Sequence, residues 1–241
     1  MDEKNSFREG IRDGLPIFFG YIAVSFAFGI FAAGYNLSIL ETVLISMTNM
    51  TSAGQLAAVP IFACGGSILE LAASQLVINM RYVLMSISLS QKMGKSVRLI
   101  DRFAIAFVNT DEVFAVALSK DGHLGRKYMY GLIIVPYIGW SLGTLLGTVA
   151  GHILPPVVIS SLGIALYAIL IAIIVPPMKK NHACAVCVLI AIAIGCIFRY
   201  IPALKSVQSG FVIIISAIVA SALLAVLSPI KDGAKEEEQN A

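Results

Sequence analysis

Charge is scarce in this sequence. Asp, Glu, Lys and Arg make up 13% of its 241 residues, whereas 58% are hydrophobic. An ordinary soluble domain carries about a quarter charged residues and about half apolar ones. With a mean hydropathy of +0.88, that much apolar surface cannot be hidden in one soluble core of this length, and the chain reads as an integral membrane protein. Other absences narrow the class further. The apolar runs lack the strict alternation of a lipid-facing strand, which excludes a barrel and leaves helices. No phosphate-binding loop is visible, so nothing points to nucleotide hydrolysis. Neither a Ser–His pair deep in two segments nor a paired-aspartate motif is present, and no enzyme activity is expected.

Histidine and cysteine are also few. His123, His152 and His182 sit at segment ends, where a solvated ring is the simple reading. Cys184 and Cys187 lie one helical turn apart without a second ligand pair, and Cys64 and Cys196 stand alone, so all four read as structural thiols. No metal and no cofactor is expected. The net charge of +3 is accounted for by basic loops and does not suggest nucleic acid as a partner.

What is abundant is the long apolar run. Stretches at about 15–34, 67–90, 128–150, 157–175 and 209–228 are long enough to cross a hydrocarbon core of about 30 Å, and 183–199 is a shorter candidate. Two others look interrupted: 39–64 carries Thr51-Ser-Ala-Gly-Gln55, and 103–118 carries Asn109-Thr-Asp-Glu112. The expected fold is an all-α polytopic membrane protein of six to eight transmembrane helices, including one or two broken or re-entrant segments. Residues 1–228 form one transport domain, and 229–241, with Glu236-Glu237-Glu238, form a disordered acidic cytoplasmic tail.

Lys and Arg cluster in the N-terminal arm, at Lys92 to Arg102, at Lys120 to Lys127, and at Lys179 and Lys180. If 39–64 and 103–118 each enter and return on one side, every large basic cluster falls inside, with a cytoplasmic N-terminus. Gly14-Leu15 opens a segment ending at Gly34, and Gly131-Leu132 opens one of the same spacing ending at Gly151. This is the form an internal repeat would take in a transporter.

Polar residues within apolar segments are costly unless paired or hydrated, and so mark candidate pathways. Within 67–90, Glu70, Ser74, Arg81 and Ser88 fall in one helical stripe, with Gln75, Asn79, Tyr82 and Ser86 in a second beside it. Arg81 is permanently charged and requires a carboxylate. The acids placed centrally in another apolar segment are Asp111 and Glu112, so one of them neutralises Arg81 and the other is left to titrate or face substrate. A purely structural charge cluster is the alternative. Gly54 lets a helix unwind and expose backbone groups to a small zwitterion, and Gln55 adds a donor and an acceptor. Close helix packing through small residues explains the same stretch.

Taken in order, Gly14-Leu15-Pro16, the run into Ala53-Gly54-Gln55, Asn79-x-Arg81-Tyr82 and Thr110-Asp111-Glu112-x-Phe114 resemble the AzlC family, the large subunit of branched-chain amino acid exporters. The resemblance implies a bacterial cytoplasmic-membrane antiporter that exports branched-chain amino acids with a small AzlD-type subunit, using protons rather than ATP. It implies substrate contacts at Gly54, Gln55, Asn79 and Arg81 and proton coupling at Asp111 and Glu112. Thr51-Ser52 and Tyr82 depart from the family pattern and bear on substrate preference. A passive channel or a non-transporting scaffold subunit remains the other reading.

Overall fold

Three stretches of the chain begin alike, with a residue that caps a helix and an acid three positions later. In the computed structural model, which describes residues 5–204, 207 and 209–227, each of them starts a short helix. Ser38 caps α2 (Ile39–Thr48), where its hydroxyl accepts from Glu41 N and Glu41 Oε2 accepts from Ser38 N at 2.8 Å. Ser67 caps α4 (Ile68–Asn79) by accepting from Glu70 N at 3.1 Å. At α6 (Leu99–Phe107) the acid alone acts, Asp101 Oδ2 accepting from Arg98 N at 3.0 Å. Each bond satisfies a backbone donor that a helix start leaves open.

The same three helices stop alike. Asn49, Asn79 and Asn109, at intervals of 30 residues, mark the ends of α2, α4 and α6. After each break a second helix begins: α3 (Ser52–Ala63), α5 (Arg81–Lys92) and α7 (Asp111–Ser119). Thr51 and Thr110 cap α3 and α7 with their hydroxyls. The interruption therefore also runs through 67–90, which reads as continuous from its apolar content; α4 and α5 meet at a 45° bend. Asn favours turns over helix interiors because its amide competes for backbone groups.

Two long helices frame these pairs. In α1 (Phe7–Ala33) and α8 (Arg126–Ile153), Gly10 faces Gly131, Gly143 faces Ile22, Gly147 faces Phe26 and Gly151 faces Ala33. The register rises together in both helices, so they run parallel and in contact along their length. These are the two segments whose glycines suggest a repeat, and both carry small residues because each is the other's interface.

Contacts at the two ends of this bundle fix the course of the broken pairs. At one end, Lys120 Nζ meets Asp13 Oδ2 at 2.7 Å, Lys127 N donates to Asn5, Leu124 exchanges backbone bonds with Lys92 and Gly94, and Arg126 Nε meets Asp101 Oδ1 at 3.0 Å. Both α6 and α7 therefore have their outer ends here: the pair enters and returns. At the other end, Val59 of α3 packs with Phe28, Ala32 and Leu37, so α2–α3 enters and returns there. The bent pair α4–α5 runs between the two ends. The N-terminal arm and the basic loops at 92–102 and 120–127 thus gather at one end.

The chain divides by its contacts into two units, Met1–Leu170 and Ile171–Ala241, the division falling within α9 (Pro156–Lys180). α9 continues past Pro176 and Pro177, which from the sequence read as a segment end. In the second unit, α10 (His182–Tyr200) and α11 (Ser209–Leu227) pack together. Among the described residues there is no strand, and α1, α8 and α10 are each long and apolar enough to cross a membrane, with α4–α5 a fourth. The acidic tail at 229–241 lies outside the described residues.

Candidate functional site

The two re-entrant pairs approach from opposite ends, and their tips meet at the bend between α4 and α5. A cavity of about 200 Å³ lies there, lined by Thr48, Asn49, Thr51, Asn79, Tyr82 and Asn109 among others. The N-termini of α3, α5 and α7 all begin at these breaks. A helix N-terminus presents open N–H groups and a partial positive charge, so the convergence favours an anionic group.

Arg81, at the first position of α5, gives Nη1 to Asp111 Oδ2 at 2.5 Å, and Asp111 opens α7. Its other branch meets Tyr82 Oη at 3.2 Å, with the guanidinium 4.9 Å from that ring's centre. Both charged side chains are half exposed, at 50% and 49%. Screening at that exposure limits the pair to about 1 kcal/mol of stability or less. Asp111 is therefore the acid that pairs with Arg81.

Glu112 points elsewhere. Tyr21 Oη, from α1, lies 2.5 Å from both Glu112 Oε2 and Thr110 Oγ1. A phenol has one proton; given to Glu112 Oε2, it leaves the phenol oxygen to accept from the Thr110 hydroxyl. Tyr21 also stands edge-on to Trp140 of α8 at 5.0 Å. This is the only tryptophan in the sequence, which makes its fluorescence a local reporter of the Glu112 environment.

Gln75 of α4 orders the asparagines. Its Nε2 donates at 2.9 Å to the carbonyl of Gly54, which can only accept, so its Oε1 must face the other way. There it accepts from Asn49 Nδ2 and Asn79 Nδ2, each at 3.2 Å. That turns Asn79 Oδ1 away, and it is buried without a partner; Asn109 Oδ1 is buried and unpartnered too, while its Nδ2 faces Ser86 at 3.4 Å.

Gly54 and Gln55 stand behind this cavity and are not among its lining. A Cβ on Gly54 would lie 2.5 Å from Thr51 Cγ2 and 2.6 Å from Gln75 Oε1, so the glycine lets α4 close against the α3 turn. Gln55 is fully buried and donates to Ser46 Oγ at 2.9 Å, which in turn meets Thr144 Oγ1 of α8 at 2.6 Å. This chain ties both halves of the first hairpin to the framework. Gln55→Leu is expected to lower stability by about 1 kcal/mol and to leave ligand affinity unchanged, as read by thermal unfolding in detergent beside a binding titration.

A second cavity, of about 670 Å³, opens between α5 and α6 and shares Tyr82, Ala106 and Asn109 with the first. Ile87, Leu99 and Phe103 make it largely apolar. At its outer end, Arg102 of α6 donates to the side chain and carbonyl of Ser90. The stripe of Gln75, Asn79, Tyr82 and Ser86 is thus the polar edge of α4–α5 that faces the breaks and this cavity.

The family comparison covers this whole arrangement. The AzlC protein family matches residues 16–154. The chain belongs to the AzlC family. The inner membrane protein YgaZ of Escherichia coli K12 is 30% identical over 240 residues, 96% of this chain and 94% of the relative. An uncharacterized membrane protein of Archaeoglobus fulgidus is 29% identical over 184 residues, covering 76% and 80% of the two chains. No solved structure matches. The AzlC match begins at Pro16 and ends at Leu154, so it contains both re-entrant pairs, the bent pair and nearly all of the α1–α8 framework. These relatives are membrane proteins, and membership points to a transport-related role in the membrane.

Sequence reasoning overlooked Asn49 and Tyr21, and it placed Gln75 in a polar stripe and Asn109 in an interrupted run without giving either a role. A signal for the asparagines was present: Asn49-Met-Thr, Asn79-Met-Arg and Asn109-Thr-Asp recur at a fixed interval, each eight or nine residues after a capping acid. Tyr21 carried no such mark, because a tyrosine in a long apolar helix is ordinary until its partner across the bundle is seen.

Proposed function

We propose that this AzlC protein is a secondary exporter of branched-chain amino acids, an antiporter driven by entering protons, in a bacterial cytoplasmic membrane with its N-terminus inside. It works with a small AzlD-type hydrophobic subunit. The observation that carries this reading is the meeting of an ion pair and three helix N-termini at midchain breaks, beside an apolar cavity. A zwitterion with an aliphatic side chain needs those features together: positive potential for its carboxylate, acceptors for its ammonium, and a dry space for its side chain.

Coupling follows from the charge count. Arg81 and Asp111 cancel, which leaves Glu112, held by neutral hydroxyls, as the unbalanced negative charge beside the site. While it is ionised, Glu112 attracts a substrate ammonium; once protonated it does not. Proton and substrate then exclude one another, which is the linkage an antiporter needs. The basic end, with the N-terminal arm and the loops at 92–102 and 120–127, would face the cytoplasm. The α5–α6 cavity supplies the contacts for leucine, isoleucine or valine through Ile87, Leu99 and Phe103.

The test is labelled leucine and valine flux in proteoliposomes containing this chain with its small partner, with and without an imposed pH gradient. Flux that follows the gradient is expected. Flux indifferent to pH would make the protein a passive channel, and none from a folded complex would make it a non-transporting subunit or one with another substrate.

A further inference from the structure

Buried carbonyl oxygens without donors are costly, and two of them belong to residues that line one cavity at the breaks. Asn79 Oδ1 and Asn109 Oδ1 are both buried and unpartnered, and both residues line the 200 Å³ cavity. Asn109 is only 3% exposed. The orientation of Asn79 follows from the relay from Gly54 O through Gln75: exchanging its oxygen for its nitrogen would lose the bond to Gln75 Oε1 and set two carbonyl oxygens face to face. Two acceptors with no donor between them call for a ligand that brings donors.

Arg81 and the three helix N-termini answer to the anionic end of a ligand, not to this demand. Among the described residues no carboxylate lines the cavity, and Asp111 outside it is taken by Arg81. A primary ammonium brings three N–H donors on a compact head, enough to satisfy both oxygens and keep one for water.

From this we infer that the cavity at the three breaks is an ammonium subsite, in which Asn79 Oδ1 and Asn109 Oδ1 accept hydrogen bonds from the primary ammonium of the substrate. Glu112 acts on that subsite through space, whereas the two asparagines recognise the group directly. The inference deepens the amino-acid reading above and rests on it. It also predicts a selectivity that reading does not require: loss of the carboxylate should be tolerated better than loss or blocking of the ammonium.

Competition against labelled leucine counterflow in proteoliposomes decides the matter, with three unlabelled probes: 3-methylbutylamine, 4-methylpentanoate and N-acetyl-leucine. In the wild type the amine should compete and N-acetyl-leucine should not. Asn79→Leu and Asn109→Leu should each raise the half-saturating concentration of leucine and of the amine by about tenfold, while competition by 4-methylpentanoate stays unchanged. Equal weakening of amine and acid, or none in a folded variant, overturns the inference. So does a requirement for sodium that disappears in the variants, which would give the oxygens to a metal ion.

Should either variant fail to fold, the wild-type ranking decides: competition by 4-methylpentanoate but not by the amine overturns the proposal. If the wild type moves no leucine, the exporter reading fails by itself. Binding of 3-methylbutylamine to the purified chain, followed by the fluorescence of Trp140, then tests the subsite independently, and a flat titration overturns it.

Discussion

Asp111→Asn is expected to lower leucine flux to below a tenth of the wild-type rate, with and without a pH gradient, while the protein still reaches the membrane. The substitution keeps the shape of the side chain and the Thr110 cap of α7 but leaves Arg81 without its counter-charge. Because the pair is half exposed, the loss in stability stays near 1 kcal/mol or less. The loss in function is larger, since the guanidinium now cancels Glu112 and the site no longer favours an ammonium. Glu112→Gln separates the two acids. It removes the carboxylate to which the exporter reading gives proton coupling but leaves Arg81 paired, so on that reading gradient-driven export should disappear while exchange of leucine for leucine continues. Efflux and counterflow measured on the same vesicles check both outcomes; wild-type efflux in either variant would show that the carboxylates serve packing alone.

Gly147→Leu is expected to have the largest effect on the fold. A Cβ at this position would overlap the backbone carbonyl of Phe26 on α1, and one at Gly143 would overlap Ile22 and Ser25. Backbone cannot move aside as a flexible side chain can, so the two helices must separate. Overpacking of a core costs about 1–3 kcal/mol and more where no relief exists. Against a total stability of about 5–15 kcal/mol for a typical domain, this should lower the melting temperature in detergent by about 10 °C or abolish the monodisperse peak. Gly20→Leu is the control: nothing lies within 4 Å of its Cβ, and it should melt as the wild type does.

Much of this was legible in the residues. Low charge and long apolar runs dictate helices in a membrane, because every backbone group there must be bonded within its own segment. The interruptions at 51–55 and 109–112 were legible as well, since polar residues and glycine in an apolar run are expensive unless they end a helix. The break at Asn79-Met80-Arg81 was harder to see because the apolar run continues on both sides, and only comparison with the other two asparagine breaks would have exposed it. Gly54 and Gln55 read as contacts for a ligand from the helix break and the amide; in the fold Gly54 packs against Gln75, and Gln55 donates to Ser46, which meets Thr144.

By itself the sequence determined the class, the helices with their caps and breaks, and the rule that a buried arginine must find an acid. Those are local or compositional matters, decided by hydrophobicity, hydrogen bonding along the chain and the cost of an unpaired charge. Tertiary structure alone decided which acid Arg81 takes, that Tyr21 holds the other, and that three breaks 30 residues apart in sequence meet around one cavity with two carbonyl oxygens unanswered. Such pairings depend on which helices lie side by side and in which direction, and that was set here by the parallel, glycine-lined contact of α1 with α8, whose partners are more than a hundred residues apart.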